Sequence, residues 1–159
     1  MTIITENLIL RNLKPDYTDG FYDILGNPKA MDPIPLKTFS RGESDAHLLE
    51  LINNSEINIL AITLKEDKTF IGFCALLRDN EIVYRLRPSF WQKGYGKEAV
   101  EAYLNYSFST LKKEYITGEA NKTNIASVKI LSKFLTKSGE YFSKELNCTN
   151  VTFKKLATN

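Results

Sequence analysis

Two glycines one residue apart, Gly94 and Gly96, stand in the run Trp91-Gln92-Lys93-Gly94-Tyr95-Gly96-Lys97. Before the run the sequence alternates like a strand, and after it the sequence repeats like a helix. Backbone N–H groups at a helix start have no partner inside the helix, and glycines let a ligand approach them closely. The expectation is an anion site that takes a phosphate-bearing ligand, with Lys93 and Lys97 adding positive charge nearby.

Other chemistries find less support. One histidine, His47, and two cysteines without ligand spacing, Cys74 and Cys148, give no zinc set, so no metal is expected. No Gly-x-Ser-x-Gly and no Gly-x-x-x-x-Gly-Lys-Ser/Thr run occurs, which argues against a Ser-His-Asp hydrolase and a P-loop nucleotidase. His47 reads as a structural residue of a helix. A net charge of +2, with Lys and Arg spread along the chain, lacks the concentrated basic face that nucleic acid requires. The opening MTIITENLIL reads as neither a signal peptide nor a membrane span, and the cysteines read as reduced thiols, so a cytoplasmic protein is expected, with no membrane partner. At 159 residues, 43% of them hydrophobic and 25% charged, one domain over 1–159 can bury a core without disulfides.

The elements that would position the glycine turn follow from periodicity. Residues 7–13 (NLILRNL) alternate as a half-buried strand. Pro15 and Asp16 open a helix with Tyr17, Phe21, Ile24 and Leu25 on one face, ended by Gly26-Asn27-Pro28. Residues 31–38 carry two prolines in three positions and read as irregular. Ser40-x-x-Glu43 is a capping box for a helix to about Asn53, with Leu48, Leu49 and Ile52 inward. Residues 57–64, 69–77 and 81–87 read as three antiparallel strands joined by tight turns, with Gly72 marking a bulge. A helix over about 94–111, a strand at 114–119, a helix at 123–135 and a hairpin of 140–146 with 150–156 complete the chain. The order β-α-α-β-β-β-α-β-α-β-β predicts an α/β (α+β) fold: a mixed, mostly antiparallel central sheet of about six or seven strands with helices on both faces.

Gly94-x-Gly96-x-x-Ala99 also satisfies the dinucleotide fingerprint, with Glu114 about where a ribose-binding acid would stand. A Rossmann unit has those glycines directly after the first strand of a βαβ array. Here residues 88–93 intervene and the strand closes a meander, so a dinucleotide-binding oxidoreductase is the lesser alternative.

The strand–loop–helix junction resembles the acetyl-CoA motif Arg/Gln-x-x-Gly-x-Gly/Ala of the GNAT superfamily of N-acetyltransferases, with Trp91 in the Arg/Gln position. Pro88 and Trp91 ahead of the turn and Glu98-Ala99 after it are similar to the RimJ/RimL-like subgroup. So are the opening TENLILRNL and Asn124-x-x-Ser127 with Leu131 and Lys133. The resemblance covers about 5–153 and departs at 133–140, where an insertion of about four residues is expected.

The resemblance implies acetyl-CoA as co-substrate and no metal. Its pyrophosphate would lie on the N–H groups of Gln92, Lys93, Gly94, Tyr95, Gly96 and Lys97. Pantetheine would run along Tyr84, Leu86 and Arg87, in a gap between that strand and 114–119, with the Leu86 N–H facing the oxyanion. Glu81 corresponds to a general base. Leu131 stands where many members carry an acid tyrosine, so Ser127 is the expected replacement, with Asn124 bonding the cofactor or a neighbouring loop. Asp32 and Glu43 could draw in the acceptor ammonium. The implied reaction is direct attack on the thioester by a primary amine, a small molecule or a protein N-terminus. A non-catalytic acyl-CoA-binding or sensing module is the alternative that the missing tyrosine leaves open, and a homodimer is open as an assembly.

Overall fold

The computed structural model describes residues 1–31 and 38–158. The chain opens with a hairpin, β1 (Thr2–Ile4) and β2 (Leu8–Arg11), followed by a 3-10 turn and α1 (Thr18–Leu25), then α2 (Arg41–Asn53). A meander of β3 (Asn58–Leu64), β4 (Phe70–Leu76) and β5 (Ile82–Leu86) leads into α3 (Tyr95–Ser109). The remainder is β6 (Tyr115–Asn121), α4 (Ile125–Phe134), β7 (Thr136–Ser143) and β8 (Cys148–Leu156).

The mixed α/β architecture with mostly antiparallel strands is as expected, but among the described residues the strands fall into two sheets rather than one central sheet. Strands β1 to β5 pair antiparallel in chain order, while β6, β8 and β7 form a second sheet with β8 in the middle. Among the described residues a parallel bridge between Glu81 and Thr117 joins the two. Beyond it β5 and β6 have no ladder among the described residues, and a gap opens between them.

Helices α3 and α4 cover one face of both sheets. Leu10, Ile62 and Leu86 from the first sheet, Ile116 and Phe153 from the second, and Val100, Tyr103 and Leu131 from the helices share one buried cluster. A second cluster seats Phe21, Ile24 and Leu48 of α1 and α2 on Ala61, Phe70 and Phe73, and contains no residue of β6, β7 or β8. The first sheet is therefore covered on both faces, which is why every residue of β4 is buried and the strand reads as a continuous apolar run.

Local chemistry accounts for most boundaries. The Ser40 hydroxyl accepts from the Glu43 N–H at 3.2 Å and the Glu43 carboxylate accepts from the Ser40 N–H at 2.9 Å, closing the expected capping box. Gly72 lies at a bulge where the β3–β4 register slips between Ile62 and Thr63, and a Cβ there would stand 2.1 Å from the Arg85 carbonyl oxygen. Three expectations need correction. Leu49 is half exposed rather than inward, because one helical step past the fully buried Leu48 turns it to solvent. β1 was not expected; it is a three-residue edge strand, too short for alternation to register. β7 starts at Thr136, directly after α4, not at residue 140, and its pairing with β8 slips register between Lys137 and Gly139.

Candidate active site

The β5–α3 junction is built by ladder alternation. The Arg87 N–H donates to the Ile71 carbonyl at 2.8 Å and the Leu77 N–H to the Glu81 carbonyl at 2.8 Å, so Glu81, Val83, Arg85 and Arg87 aim their backbone groups at β4. In an antiparallel ladder the alternate residues face the other way, which turns the N–H groups of Tyr84 and Leu86 toward the gap beside β6. The Leu86 carbonyl is already taken by the Trp91 indole N–H at 2.9 Å. Its N–H is left facing the gap, and Trp91, the odd residue of the motif, acquires a role in shaping that edge. Arg87 faces elsewhere: its guanidinium pairs with Asp23 of α1 at 3.0 Å and donates to the Phe70 carbonyl at 2.9 Å.

Gly94 caps α3 with φ +84°, a left-handed conformation, and an added Cβ would meet nothing within 4 Å. The first backbone bond of the turn runs from the Glu98 N–H to the Gly94 carbonyl, which leaves the N–H groups of Tyr95, Gly96 and Lys97 without partners inside the helix. Gln92 also has positive φ, and Gln92, Lys93 and Lys97 are exposed. An open helix start beside a free strand edge fits an anion followed by an extended, amide-bearing chain. The dinucleotide setting is absent: β5 pairs antiparallel with β4 rather than opening a parallel βαβ unit.

Two groups of side chains border the gap on opposite faces of the sheet. On the α3–α4 side, the Tyr84 and Ser127 hydroxyls lie 3.1 Å apart. Ser127 sits in the first turn of α4, its N–H donating to the side chain of the cap residue Asn124 at 3.2 Å. Burial pushes the Tyr84 phenol above its ordinary pKa, and the bond to Ser127 opposes that shift. Leu131 is buried in the core. The Cys74 thiol is buried and driven far up by desolvation, so it offers no thiolate.

On the other face, Glu81 stands at the start of β5, bridged to Thr117; Glu119 follows two residues on in β6 and shares its face. The Tyr141 hydroxyl donates to the Glu119 carboxylate and accepts from the Asn150 amide at 3.2 Å. Burial pushes the Glu81 carboxyl above the usual range, and the negative charges of Glu119 and Asp79 add to this while Arg85 opposes it. Neither Glu81 nor Glu119 has an ion pair among the described residues. Farther along this side of the sheet, an open hollow of about 430 Å³ is lined in part by Asp19, Tyr22, Asp23 and Arg87. Its carboxylates are already neutralised, Asp19 by Arg41 at 2.7 Å and Asp23 by Arg87.

Among the acids expected to draw an amine, Asp32 lies outside the described residues and Glu43 is engaged in its capping box. His47 packs against Phe21 and Phe39, with Glu50 at 3.4 Å. Glu119, Tyr141, Asn150 and the Tyr84 hydroxyl were not singled out by sequence reasoning. One signal was present: Thr117, Glu119 and Asn121 alternate with Ile116, Gly118 and Ala120, as a strand with one polar face must.

Fold and junction together define an acyl-transfer scaffold rather than a nucleotide-binding sheet. The sequence profile of the Acetyltransferase (GNAT) domain matches residues 7–134, and the chain belongs to that family, whose general function is acetyl-CoA-dependent N-acetylation. The uncharacterized N-acetyltransferase p20 of Bacillus licheniformis is 26% identical over 141 residues, covering 82% of this chain and 79% of that protein. A GNAT-family acetyltransferase from Bacillus anthracis superimposes with a TM-score of 0.85 at 19% identity, covering 98% of each chain. RimL, a ribosomal-protein α-N-acetyltransferase solved in complex with coenzyme A, superimposes with a TM-score of 0.80 at 15% identity, covering 99% of this chain and 98% of its own. Among the described residues no helix is long and apolar enough to cross a membrane.

Proposed function

We propose that this chain, as a single acetyltransferase domain over 1–159, transfers an acetyl group from acetyl-CoA to a primary amine by direct attack on the thioester. The observation that carries the reading is the gap between β5 and β6, with the start of α3 at one end and the Leu86 N–H facing in. Bound acetyl-CoA supplies the activated acetyl group. The N–H groups from Gln92 to Lys97 hold its pyrophosphate, with Lys93 and Lys97 adding charge. Backbone groups of Tyr84 and Leu86 pair with the pantetheine amides, and the Leu86 N–H stabilises the developing oxyanion. Asn124 keeps the first turn of α4 in place beside them.

An alkylammonium, with a pKa near about 10, must lose a proton before it attacks. Glu81, with Glu119 beside it, takes that proton on the face opposite the cofactor. The amine nitrogen then bonds to the thioester carbon and the carbon–sulfur bond breaks. The leaving sulfur takes a proton from the Ser127–Tyr84 hydroxyl pair, and the second proton shed by the nitrogen is returned through solvent to that pair. That pair restores the donor that Leu131 cannot supply. RimL's named activity on a ribosomal protein supports a protein N-terminus among the acceptors, alongside small amines.

A thermal-shift screen with acetyl-CoA, coenzyme A, NAD and NADP tests the cofactor. Binding to the folded state at a hundredfold excess over Kd adds about 2.7 kcal/mol. The expected result is a raised midpoint with the two coenzyme A compounds alone; a rise with NAD or NADP and none with coenzyme A rejects the reading.

A further inference from the structure

The β7–β8 hairpin contributes to the face on which the acceptor amine is expected. In the register of the second sheet Asn150 is paired with both Asn121 and Tyr141, so Glu119, Asn150 and Tyr141 project from one face. Asn150 is almost fully buried, whereas Tyr141 is 46% exposed. The bonds among them have a direction. A phenol carries one proton; the Asn150 amide nitrogen is a donor only, so the proton of Tyr141 must go to Glu119. The Glu119 carboxyl oxygen is the acceptor.

We propose that Tyr141 and Asn150 are positioning residues of the acetyl-transfer site: they fix the Glu119 carboxylate at the mouth of the β5–β6 gap, and so leave Glu81 as the member of the pair that takes the proton from the acceptor amine. The inference rests on the acetyl-transfer reading above. Two carboxylates in unequal surroundings divide acid–base work, one tied down by hydrogen-bond donors and one tuned by burial and by its neighbour's charge. Glu81 meets both conditions. Glu119 of β6 faces it, as do Arg85 of β5, Asp79 of the preceding turn and, at longer range, Tyr141 of β7. The bond to Glu119 raises the Tyr141 phenol pKa, as a donor to a carboxylate should be raised.

Two readouts test this, and the first needs no acceptor. Followed by NMR of the ring carbon bearing the hydroxyl, the Tyr141 ionisation moves down toward the ordinary range in Glu119→Gln; an unchanged midpoint overturns the inference. The second is the pH profile of kcat/KM for thiol release from acetyl-CoA, using the best acceptor from a panel of alkylamines and serine- or alanine-initiated peptides. Tyr141→Phe leaves the backbone of the β5–β6 gap untouched, so the Kd for coenzyme A stays at its wild-type value, while the melting midpoint falls by a few degrees because the buried Asn150 amide loses its acceptor. The acidic limb, which belongs to the carboxylate pair as a unit, moves up by about half a pH unit, a roughly threefold loss at a fixed acidic pH. Adding Tyr141→Phe to Glu119→Gln produces no further change, because the hydroxyl acts through that carboxylate. If Glu81→Gln and Glu119→Gln lower turnover while Tyr141→Phe keeps the wild-type limb, the positioning role alone fails. If neither carboxylate variant lowers turnover, the assignment of this face fails and the inference with it.

Discussion

Replacing Gly94 by alanine separates a glycine kept for backbone conformation from one kept for space. At φ +84° the left-handed backbone costs a side-chain-bearing residue about 1–2 kcal/mol, while alanine recovers about 0.5 kcal/mol by restricting the unfolded chain. Nothing lies within 4 Å of the new Cβ, so no clash adds to this. The net loss of about 1 kcal/mol corresponds to a melting midpoint lower by about 2–4 °C for a domain of this size. Binding suffers more, because the methyl group enters the open space in front of the helix start or the peptide rotates to avoid it. Either outcome removes one hydrogen bond to a charged group, about 1.5–3 kcal/mol, so the Kd for coenzyme A rises at least about tenfold. Gly96→Ala is the control. Its Cβ would lie 3.5–3.6 Å from Ile130, Leu86 and Tyr84, ordinary contact on helical backbone, and the variant melts at or above the wild type. Calorimetric melting and titration with coenzyme A read both quantities. A Gly94→Ala protein with wild-type midpoint and wild-type Kd refutes the reasoning.

Glu81→Gln lowers kcat/KM most steeply at pH values below the acceptor's pKa, and an unchanged pH–rate profile sinks its role as base. Because burial raises its carboxyl in the folded state, the stability it contributes is full below the unfolded pKa and is lost as pH rises. The glutamine variant therefore melts at or above wild type at pH 7, and the difference closes as pH falls toward about 4. Glu98 behaves oppositely. Burial opposes its ionisation, but bonds from the Thr5 hydroxyl and from the backbone and side chain of Asn7 win and hold its carboxyl below the usual range. Glu98→Gln loosens the β1–β2 turn from α3 by about 1 kcal/mol at pH 7, and urea melts show the loss vanishing below about pH 4. Gln92→Gly relieves a left-handed φ of 60° and stabilises by about 0.5–1 kcal/mol in the same assay.

What could be read in the sequence was what depends on near neighbours. The Ser40–Glu43 capping box, the Gly72 bulge and the glycine-capped α3 each follow from contacts within a few residues or from one backbone constraint. The start of β7 could not be read, because this edge strand carries a polar Thr136–Ser143 run, largely exposed, with no alternation to reveal it. Leu49 was misplaced because α2 buries only a narrow stripe through Ser44 and Leu48. The candidate site divides in the same way. Gly94 and the strand edge at Leu86 belong to one continuous stretch, whereas Glu119, Tyr141 and Asn150 meet only through the register of three strands. Tyr84 was legible as a strand residue, but its partner Ser127 is 43 residues away and reaches it only once α4 packs against the sheet.

The central claim is that the β5–β6 gap carries out acetyl transfer to an amine. Thiol release from acetyl-CoA, measured across alkylamines and serine- or alanine-initiated peptides with the acceptor recovered and weighed by mass spectrometry, tests it most directly. The expected result is thiol release that depends on an acceptor, one acetyl group added at a primary amine, and a fall in both at pH 7 in Glu81→Gln with coenzyme A still bound. Tight binding of acetyl-CoA with no acetylated acceptor from any amine in the panel contradicts it and identifies a binding module instead.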